Sequence, residues 1–507
     1  MDGIFLGIDC GTQSTRAIAL DAGSARVLGS ASRPLSFLPG LPPGHAEQDP
    51  RVWVAATREA LLDLLARIDR RAVRGLGVSA QQHGFVPLDG RDEPIRPAKL
   101  WCDTSSAPQC ARLLERLGGP GRFRDLTGNA LPPGYTASKI LWLKEREPEN
   151  FARLRGVLLP HDFLNLRFTG EKAAEPGDAS GTALLDVRSR RWRVEVCEAI
   201  DPGLASALPP LRDSLSILAP LRPSVADDLG LPRGVLVSLG SGDNMMGAIG
   251  TGNVREGILT ASLGTSGTVY AYAPRPVVDP AGEVAAFCDG TGAWLPLACT
   301  MNVTVATSLA LAAFGRDLDS LDPLVESVEP GAGGLLCLPY FEGERTPNLP
   351  EGTGVLFGLR GATFDPAHAL RAAMEGATLG LNYGLRRLRA LGVAPLEIRL
   401  TGGAARSVAW RRIAADVFGC PVVCPEFAEG AALGAAIQAL AACAADRGGR
   451  STLEELCGAC VRLDESTRVE PDPGRVGLYR ELQGLHDRLS SAVRGCFPLH
   501  RAFLERR

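Results

Sequence analysis

The stretch GIDCGTQSTRAIALD, Gly7 to Asp21, decides how the rest of the chain is read. Ile4, Phe5, Leu6 and Ile8 make one apolar run and Ala17, Ile18, Ala19 and Leu20 another, so the pattern predicts strand, turn, strand. Asp9 stands at the lip of the Gly-Thr turn. The turn has neither the Gly-Lys-Ser/Thr of a Walker loop nor the GxGxxG of a dinucleotide site. It does present the backbone N–H groups of Gly11, Thr12 and Gln13 and the hydroxyls of Thr12, Ser14 and Thr15, a set able to receive a phosphate. An ordinary hairpin, for which Gly, Thr and Asp are routine choices, is the plain alternative.

A second copy of the pattern shifts the balance. GILTASLGTSGTVYAYA, Gly257 to Ala273, again runs apolar segment, Gly-Thr turn, apolar segment, and Gly11-Thr12-x-x-Thr15 aligns with Gly264-Thr265-x-x-Thr268. Two halves that each begin with one hairpin predict two similar lobes, with the turns facing each other across a cleft and a phosphate chain gripped from both sides. Asp9 aligns with Ser262, so only the first lobe supplies a carboxylate. A lone carboxylate beside a triphosphate needs a cation between them, and Mg²⁺ binds through one or two carboxylates, waters and phosphate oxygens. Asp9 is therefore the expected Mg²⁺-positioning acid, acting through water.

Composition narrows the partners. With 507 residues, 54 basic against 57 acidic side chains and 22% charged, the chain is long enough for at least two domains and has no basic footprint for nucleic acid or anionic membrane. No signal-like segment opens it and no apolar run reaches membrane-spanning length, so a soluble, cytoplasmic protein with a small-molecule partner is expected. The 13 cysteines are odd in number and scattered, and CGAC at Cys457 to Cys460 lacks a second CxxC or a histidine pair. Buried thiols are the expected reading, rather than disulfides or zinc.

Strand-like segments such as VRGLGVSAQ (Val73 to Gln81) and RGVLVSLG (Arg233 to Gly240) alternate with helix-like ones, including Val52 to Ile68 and Ala367 to Leu391, which predicts an α/β protein. In VLVSLGSGDNMMGAIG a strand and a Gly-Ser-Gly loop lead to Asp243 at a helix start. Asp243 reads both as a helix cap and as a base taking the proton of a hydroxyl that attacks phosphorus, with Asn244 beside it for the same substrate. SAQQHGFVPLD ends its strand on Gln82 and His83, polar groups suited to a polyol at a strand's carboxyl end. LWCDTSS carries Trp101 and Asp103; a core tryptophan and a turn aspartate are the plain reading, and Asp103 is also a candidate sugar ligand. In LTGGAARSVAW, Gly402 and Gly403 permit a flat base to approach the backbone.

These motifs together resemble the FGGY carbohydrate kinases, of the actin, hexokinase and heat-shock chaperone ATPase superfamily, over nearly the whole chain. GIDCGTQST resembles the first phosphate motif, SLGTSGT the second and LTGGAARS the adenosine motif; GYTASKILWLKER and GVLFGLRGATFDPAHALRAAME are similar to the two family signatures. QQHG, GSGDN and LPYFEGERTPN resemble the xylulokinase branch. The resemblance implies two ribonuclease-H-like lobes of the actin-like ATPase fold with a cleft between them, residues 1–246 and 247–507, with a last helix from about Gly474 packing back on the first lobe. It implies transfer from ATP, with Mg²⁺, to D-xylulose, giving D-xylulose 5-phosphate. Asp243 would be the general base and Asp9 essential. Gln82, His83, Asp103 and Asn244 would bind the sugar; Gly11, Thr12, Gln13, Gly264, Thr265, Gly402, Gly403 and Arg406 would bind ATP. Expected partners are ATP and a ketopentose, without nucleic acid or membrane, and a homodimer is the assembly to test. Another sugar or polyol kinase of the family and a binding-only nucleotide switch are the competing readings; Asp9 and Asp243, both present, favour catalysis.

Overall fold

The computed structural model describes residues 2–341 and 343–506. Its first sheet starts from the predicted hairpin, β1 (Ile4–Cys10) and β2 (Ser14–Asp21), extended by β3 (Arg26–Pro34), with β4 (Val73–Ala80) parallel to β1 on the other side. β5 (Ile217–Pro220) and β6 (Leu236–Ser238) complete the order β3-β2-β1-β4-β6-β5, and the short β7 (Ser241–Gly242) prolongs the pairing along β4. β1 is buried on both faces, which accounts for its nearly continuous apolar run, and Asp9 is the one residue of its second half that keeps some exposure.

The second sheet repeats this plan. β8 (Ile258–Leu263) and β9 (Gly267–Ala271) form the second hairpin, followed by β10 (Ala285–Cys288), β11 (Trp294–Thr300), β12 (Glu397–Thr401), β13 (Val422–Pro425) and β14 (Leu463–Val469) in the order β10-β11-β9-β8-β12-β13-β14. Without the edge strand β10, the pattern of parallel and antiparallel neighbours matches that of the first sheet strand for strand. The expected pair of similar α/β lobes is borne out. Ser262 interrupts the burial of β8 where Asp9 interrupts β1.

The hairpins differ in one respect that the aligned glycines and threonines conceal. Asp9 pairs with Arg16 and Cys10 with Thr15, whereas Ser262 pairs with Thr268 and Leu263 with Gly267. The second turn is one residue shorter, and a shift of one residue reverses which face a side chain takes. Thr15 is therefore buried, its hydroxyl 3.0 Å from that of Thr57. Thr268 instead faces the cleft.

Helix α1 (Pro50–Leu65) covers β2 and β3. α2 (Asp243–Gly250) leaves the first sheet directly from β7, while α3 (Pro366–Ala390) and α4 (Val408–Phe418) pack in the second lobe. The Gly/Ala-rich α5 (Gly430–Asp446) crosses back to lie on β1, β4 and α2. Small residues make that approach possible: a Cβ on Gly434 would stand 1.8 Å from Met246 O, and one on Gly7 would stand 2.0 Å from Ala432 O. The last long helix, α6 (Pro473–Val493), packs on α4 and α3 of the second lobe, so the element that returns to the first lobe is α5 and not the helix the sequence assigned. Among the described residues no helix is long and apolar enough to cross a membrane, and all 13 cysteines are free.

Candidate active site

Two chambers meet between the lobes. The larger, about 580 Å³, is lined by Gln82, His83, Trp101, Tyr135, Phe287 and Arg345 among others; the smaller, about 250 Å³, by Asp9, Thr251, Thr401, Gly402 and Glu429 among others. Asp243, Asn244, Ser262 and Thr268 line both. The carboxylate of Asp243 is thus at the junction, where a group held in one chamber faces a group held in the other.

Asp243 reaches this place because β7 ends there and α2 begins, with Gly242 rather than Asp243 as the residue before the first helical turn. Its Oδ1 accepts from the Asn244 amide at 2.8 Å and from Asn244 Nδ2 at 3.0 Å. Burial, then the negative charges of Asp9 and Asp178, push Asp243 up to about 8 against those hydrogen bonds. Asp178 itself is fully buried and bonds His161 Nδ1 at 2.7 Å. Asp9 is pushed up to about 6 by burial, opposed by a 2.9 Å hydrogen bond from Ser79 Oγ and by the charge of Arg16. Two neighbouring carboxylates with pKa values moved apart are a recurrent mark of acid–base chemistry.

In the larger chamber, Gln82 is held by Asn244 Nδ2, which donates to its Oε1 at 2.9 Å, and its buried Nε2 has no partner among the described residues. His83 has a left-handed backbone, φ +63, stabilised by Lys139 Nζ and Thr136 Oγ1, which donate to its carbonyl at 2.8 and 3.2 Å. The ring packs against Tyr135 and Phe287, and burial drives His83 well below the usual imidazole range, so it stands neutral. A neutral imidazole offers a sugar one donor and one acceptor.

Asp103 does not join this group. It is fully buried outside the chamber lining, where it accepts from the Ala46 amide (2.9 Å), the Ser105 amide (3.0 Å), Ser105 Oγ (2.6 Å) and Lys99 Nζ (3.1 Å). With its acceptor capacity taken by the protein, the expectation that it binds sugar gives way to an anchoring role. His45, Glu47 and Asp103 have metal-ligand spacing, but the Lys99 ammonium sits among them, 2.9 Å from Glu47 and 3.1 Å from Asp103. Trp101, read from sequence as core, instead lines the chamber and donates from Nε1 to Thr12 Oγ1 at 2.9 Å. Thr12 Oγ1 in turn donates to Gln81 Oε1 at 2.9 Å, so the sugar side of the cleft is bonded to the first turn.

At the turns, the amides of Gly11 and Gly264 are used internally, donating to Ser14 O (3.0 Å) and Ser266 O (3.1 Å). The amides of Thr12, Gln13 and Thr265 have no protein acceptor among the described residues, and they remain available to a phosphate. Gly402, with φ +86, lines the smaller chamber and lies against β8: a Cβ there would stand 2.5 Å from Leu263 O. Gly403 and Arg406, both exposed, begin and end the helical turn that follows, with Ala404 and Ala405 buried between them. Arg345, Tyr135 and Phe287 carried no individual role in the sequence. Tyr135 and Arg345 sit inside motifs already picked out, but nothing in their spacing shows which way they face.

A two-lobed α/β frame with a carboxylate between two chambers defines a phosphotransferase-like site. The model of the FGGY family of carbohydrate kinases, N-terminal domain, matches residues 4–250, and that of the C-terminal domain matches residues 259–443. The chain belongs to the FGGY family of carbohydrate kinases. It is 41% identical to a xylulose kinase of Haemophilus influenzae over 94% of this chain and 97% of that one, and 40% identical to a xylulose kinase of Streptomyces coelicolor over 86% and 87%. A crystal structure from Brucella ovis, described as a xyloylose kinase, is 31% identical with a TM-score of 0.89, covering 97% of this chain and 100% of that one.

Proposed function

We propose that this chain transfers the terminal phosphoryl group of ATP to the 5-hydroxyl of D-xylulose, giving D-xylulose 5-phosphate and ADP. The observation that carries the reading is the place of Asp243, shared by a large chamber walled by amide, imidazole and aromatic groups and a small one walled by Asp9 and Gly402. The named relatives that match most of the chain select the sugar.

With Asp243 Oδ1 held by Asn244, Oδ2 is the oxygen left for the substrate hydroxyl. The hydroxyl oxygen forms a bond to the γ-phosphorus, the bond from that phosphorus to the bridging oxygen of ADP breaks, and the hydroxyl proton passes to Asp243 in its ionised form, which a divalent cation bound beside it would favour over the protonated form. Because phosphoryl transfer is dominated by positioning and charge stabilisation, the proton moves late and the base mainly orients the nucleophile. The amides of Thr12, Gln13 and Thr265 approach the phosphates from both lobes. The smaller chamber offers Mg²⁺ hard carboxylate oxygens from Asp9 and Asp243 and no thiolate or imidazole among its lining residues, a donor set that fits this ion. When bound, the ion supplies neutralisation of triphosphate charge; Asp9 holds its position, fixed in turn by Ser79. Gly403, where a Cβ would meet no atom within 4 Å, leaves an open face for the adenosine, while Gly402 lets the turn lie against β8.

A coupled ADP-release assay over D-xylulose, D-ribulose, ribitol and glycerol tests the reading. D-xylulose is expected to give the highest kcat/KM, and Asp243→Ala to lose at least ~10²-fold in kcat, the lower end of general-base contributions. A higher kcat/KM with another acceptor would replace the substrate assignment, and an unchanged rate in Asp243→Ala would remove the base.

A further inference from the structure

One cation in the larger chamber has no assigned task. Arg345 lines that chamber and not the smaller one, and no carboxylate pairs with its guanidinium among the described residues. Among the described residues its guanidinium bonds the weak acceptor Cys299 Sγ, 4.0 Å from Nη1. Two arginines that carry their charge inward are paired with carboxylates: Arg371 bonds Glu375 at 2.7 Å, and Arg96 bonds Glu47 at 2.7 Å. A guanidinium drawn out of bulk water among Tyr135, Phe287, Leu297 and Cys299 loses hydration without a counter-ion to offset it.

The loop that presents it is built to hold it there. Buried Glu344 accepts from the Met301 amide at 2.6 Å, the Arg345 amide at 2.8 Å and Asn302 Nδ2 at 3.2 Å, tying the loop to the end of β11. Gln82 and His83 reach the same chamber from the first lobe, and Arg345 is the second lobe's cation in it; Glu283, which also lines it, accepts from Tyr383 Oη at 2.8 Å.

We infer that Arg345 is a specificity-determining substrate contact, donating charge-assisted hydrogen bonds to sugar oxygens on the side away from the transferred phosphate. This rests on the sugar-kinase reading above. Because Asp243 fixes the reacting hydroxyl at the junction and Arg345 lines only the outer chamber, the contact needs a polyhydroxy chain that extends beyond the reacting carbon. A five-carbon ketose carries oxygens along that length; a three-carbon polyol ends sooner. The class selected is therefore pentuloses over glycerol-sized acceptors, and the selecting element comes from the lobe opposite Gln82 and His83.

The test is direct binding followed by turnover, on full-length wild type, Arg345→Met and Arg345→Lys. Titration with D-xylulose, D-ribulose and glycerol, followed by tryptophan fluorescence or calorimetry, is expected to show Arg345→Met weakening the best five-carbon ligand by about 10- to 100-fold, the range for losing a hydrogen bond from a charged donor. Arg345→Lys is expected between the two, since it keeps the charge and loses the fork. Glycerol binding, ATP binding and the melting temperature are expected to stay within about twofold or about two degrees of wild type. Five-carbon binding by Arg345→Met within twofold of wild type overturns the inference, as does an equal loss for glycerol. Wild type that binds a pentulose but forms no ADP overturns the kinase reading alone, because the titration still decides whether Arg345 holds that ligand.

Discussion

Replacing Asp243 by Asn should inactivate the protein and stabilise it, by an amount that grows with pH. Asn keeps an Oδ1 acceptor for the Asn244 amide while removing the charge that burial, Asp9 and Asp178 disfavour. The folded-state value of about 8 lies above the ordinary 3.8, so the folded protein holds a proton here that the unfolded chain has released. Stability from this group is complete below about pH 4 and falls as pH rises to about 8, where the folded carboxyl also ionises. The slope is at most about 1.4 kcal/mol per pH unit, and water reaching the carboxyl from both chambers confines it to roughly half of the interval between pH 5 and 8 by lowering the folded value. Between pH 5 and 8 the advantage of Asp243→Asn should thus grow by about 2 kcal/mol, several degrees of melting temperature. The assay is differential scanning fluorimetry of both proteins at pH 5, 6, 7 and 8, without nucleotide or divalent ion, beside ADP release at pH 8. A melting difference independent of pH, or a variant less stable than wild type at pH 8, would refute the electrostatic account of the site even if activity were lost.

Asp103→Asn tests the anchoring role: removing one side of the buried pair with Lys99 should cost about 3 kcal/mol, lowering the melting temperature while the KM for sugar stays within twofold. A tenfold rise in that KM at unchanged melting temperature would return Asp103 to the sugar. Ser262→Asp places a carboxylate on the second hairpin, in the wall of both chambers, and should raise the KM for ATP tenfold or more by like-charge repulsion of the triphosphate; steady-state kinetics at fixed Mg²⁺ checks it. Gly434→Ala drives a methyl group into Met246 O and must separate α5 from α2, at a cost of about 1–3 kcal/mol or more. Because α2 carries Asp243, kcat should fall along with the melting temperature, and a variant with wild-type values of both would show the helix contact to be dispensable.

The two hairpins were legible because doubly buried strands leave continuous apolar runs, and the Gly-Thr turns mark where those runs reverse. Asp243 was legible for a related reason, as an acid placed where a strand gives way to a helix. What the sequence concealed was orientation. Thr15 and Thr268 align letter for letter, but a turn shorter by one residue sends the first into the core and the second into the cleft. Asp103 and Asp243 are both turn-associated acids; Lys99 and Ser105 saturate the first, while the second keeps an oxygen free. The glycines and alanines of α5 announce close packing, but not that its partner lies more than 180 residues upstream in α2 and over 400 upstream in β1.

The halves of this molecule are alike in strand order and unlike in what they place at the junction. From the first lobe come Asp243 and Asp9, with Arg16 across the ladder; from the second come the hydroxyls of Ser262 and Thr268 and the carboxylate of Glu429, which pairs with Arg16. Hairpins charged alike on both sides would set two aligned carboxylates across one triphosphate. A cleft neutral on both sides would give a divalent ion no carboxylate to position it. One-sided charge on the hairpins avoids both outcomes, and under the proposed reaction it fixes a direction: phosphate oxygens would meet amides from both lobes, while the cation and the base would stand on the first. In the outer chamber the second lobe brings the guanidinium of Arg345 beside Glu283, and the first brings neutral amide and imidazole groups with Asp243 at the junction. Both chambers thus take lining from both lobes, so neither lobe alone completes either one, and in the proposed reaction closure of the two is what would bring sugar and phosphate together at Asp243.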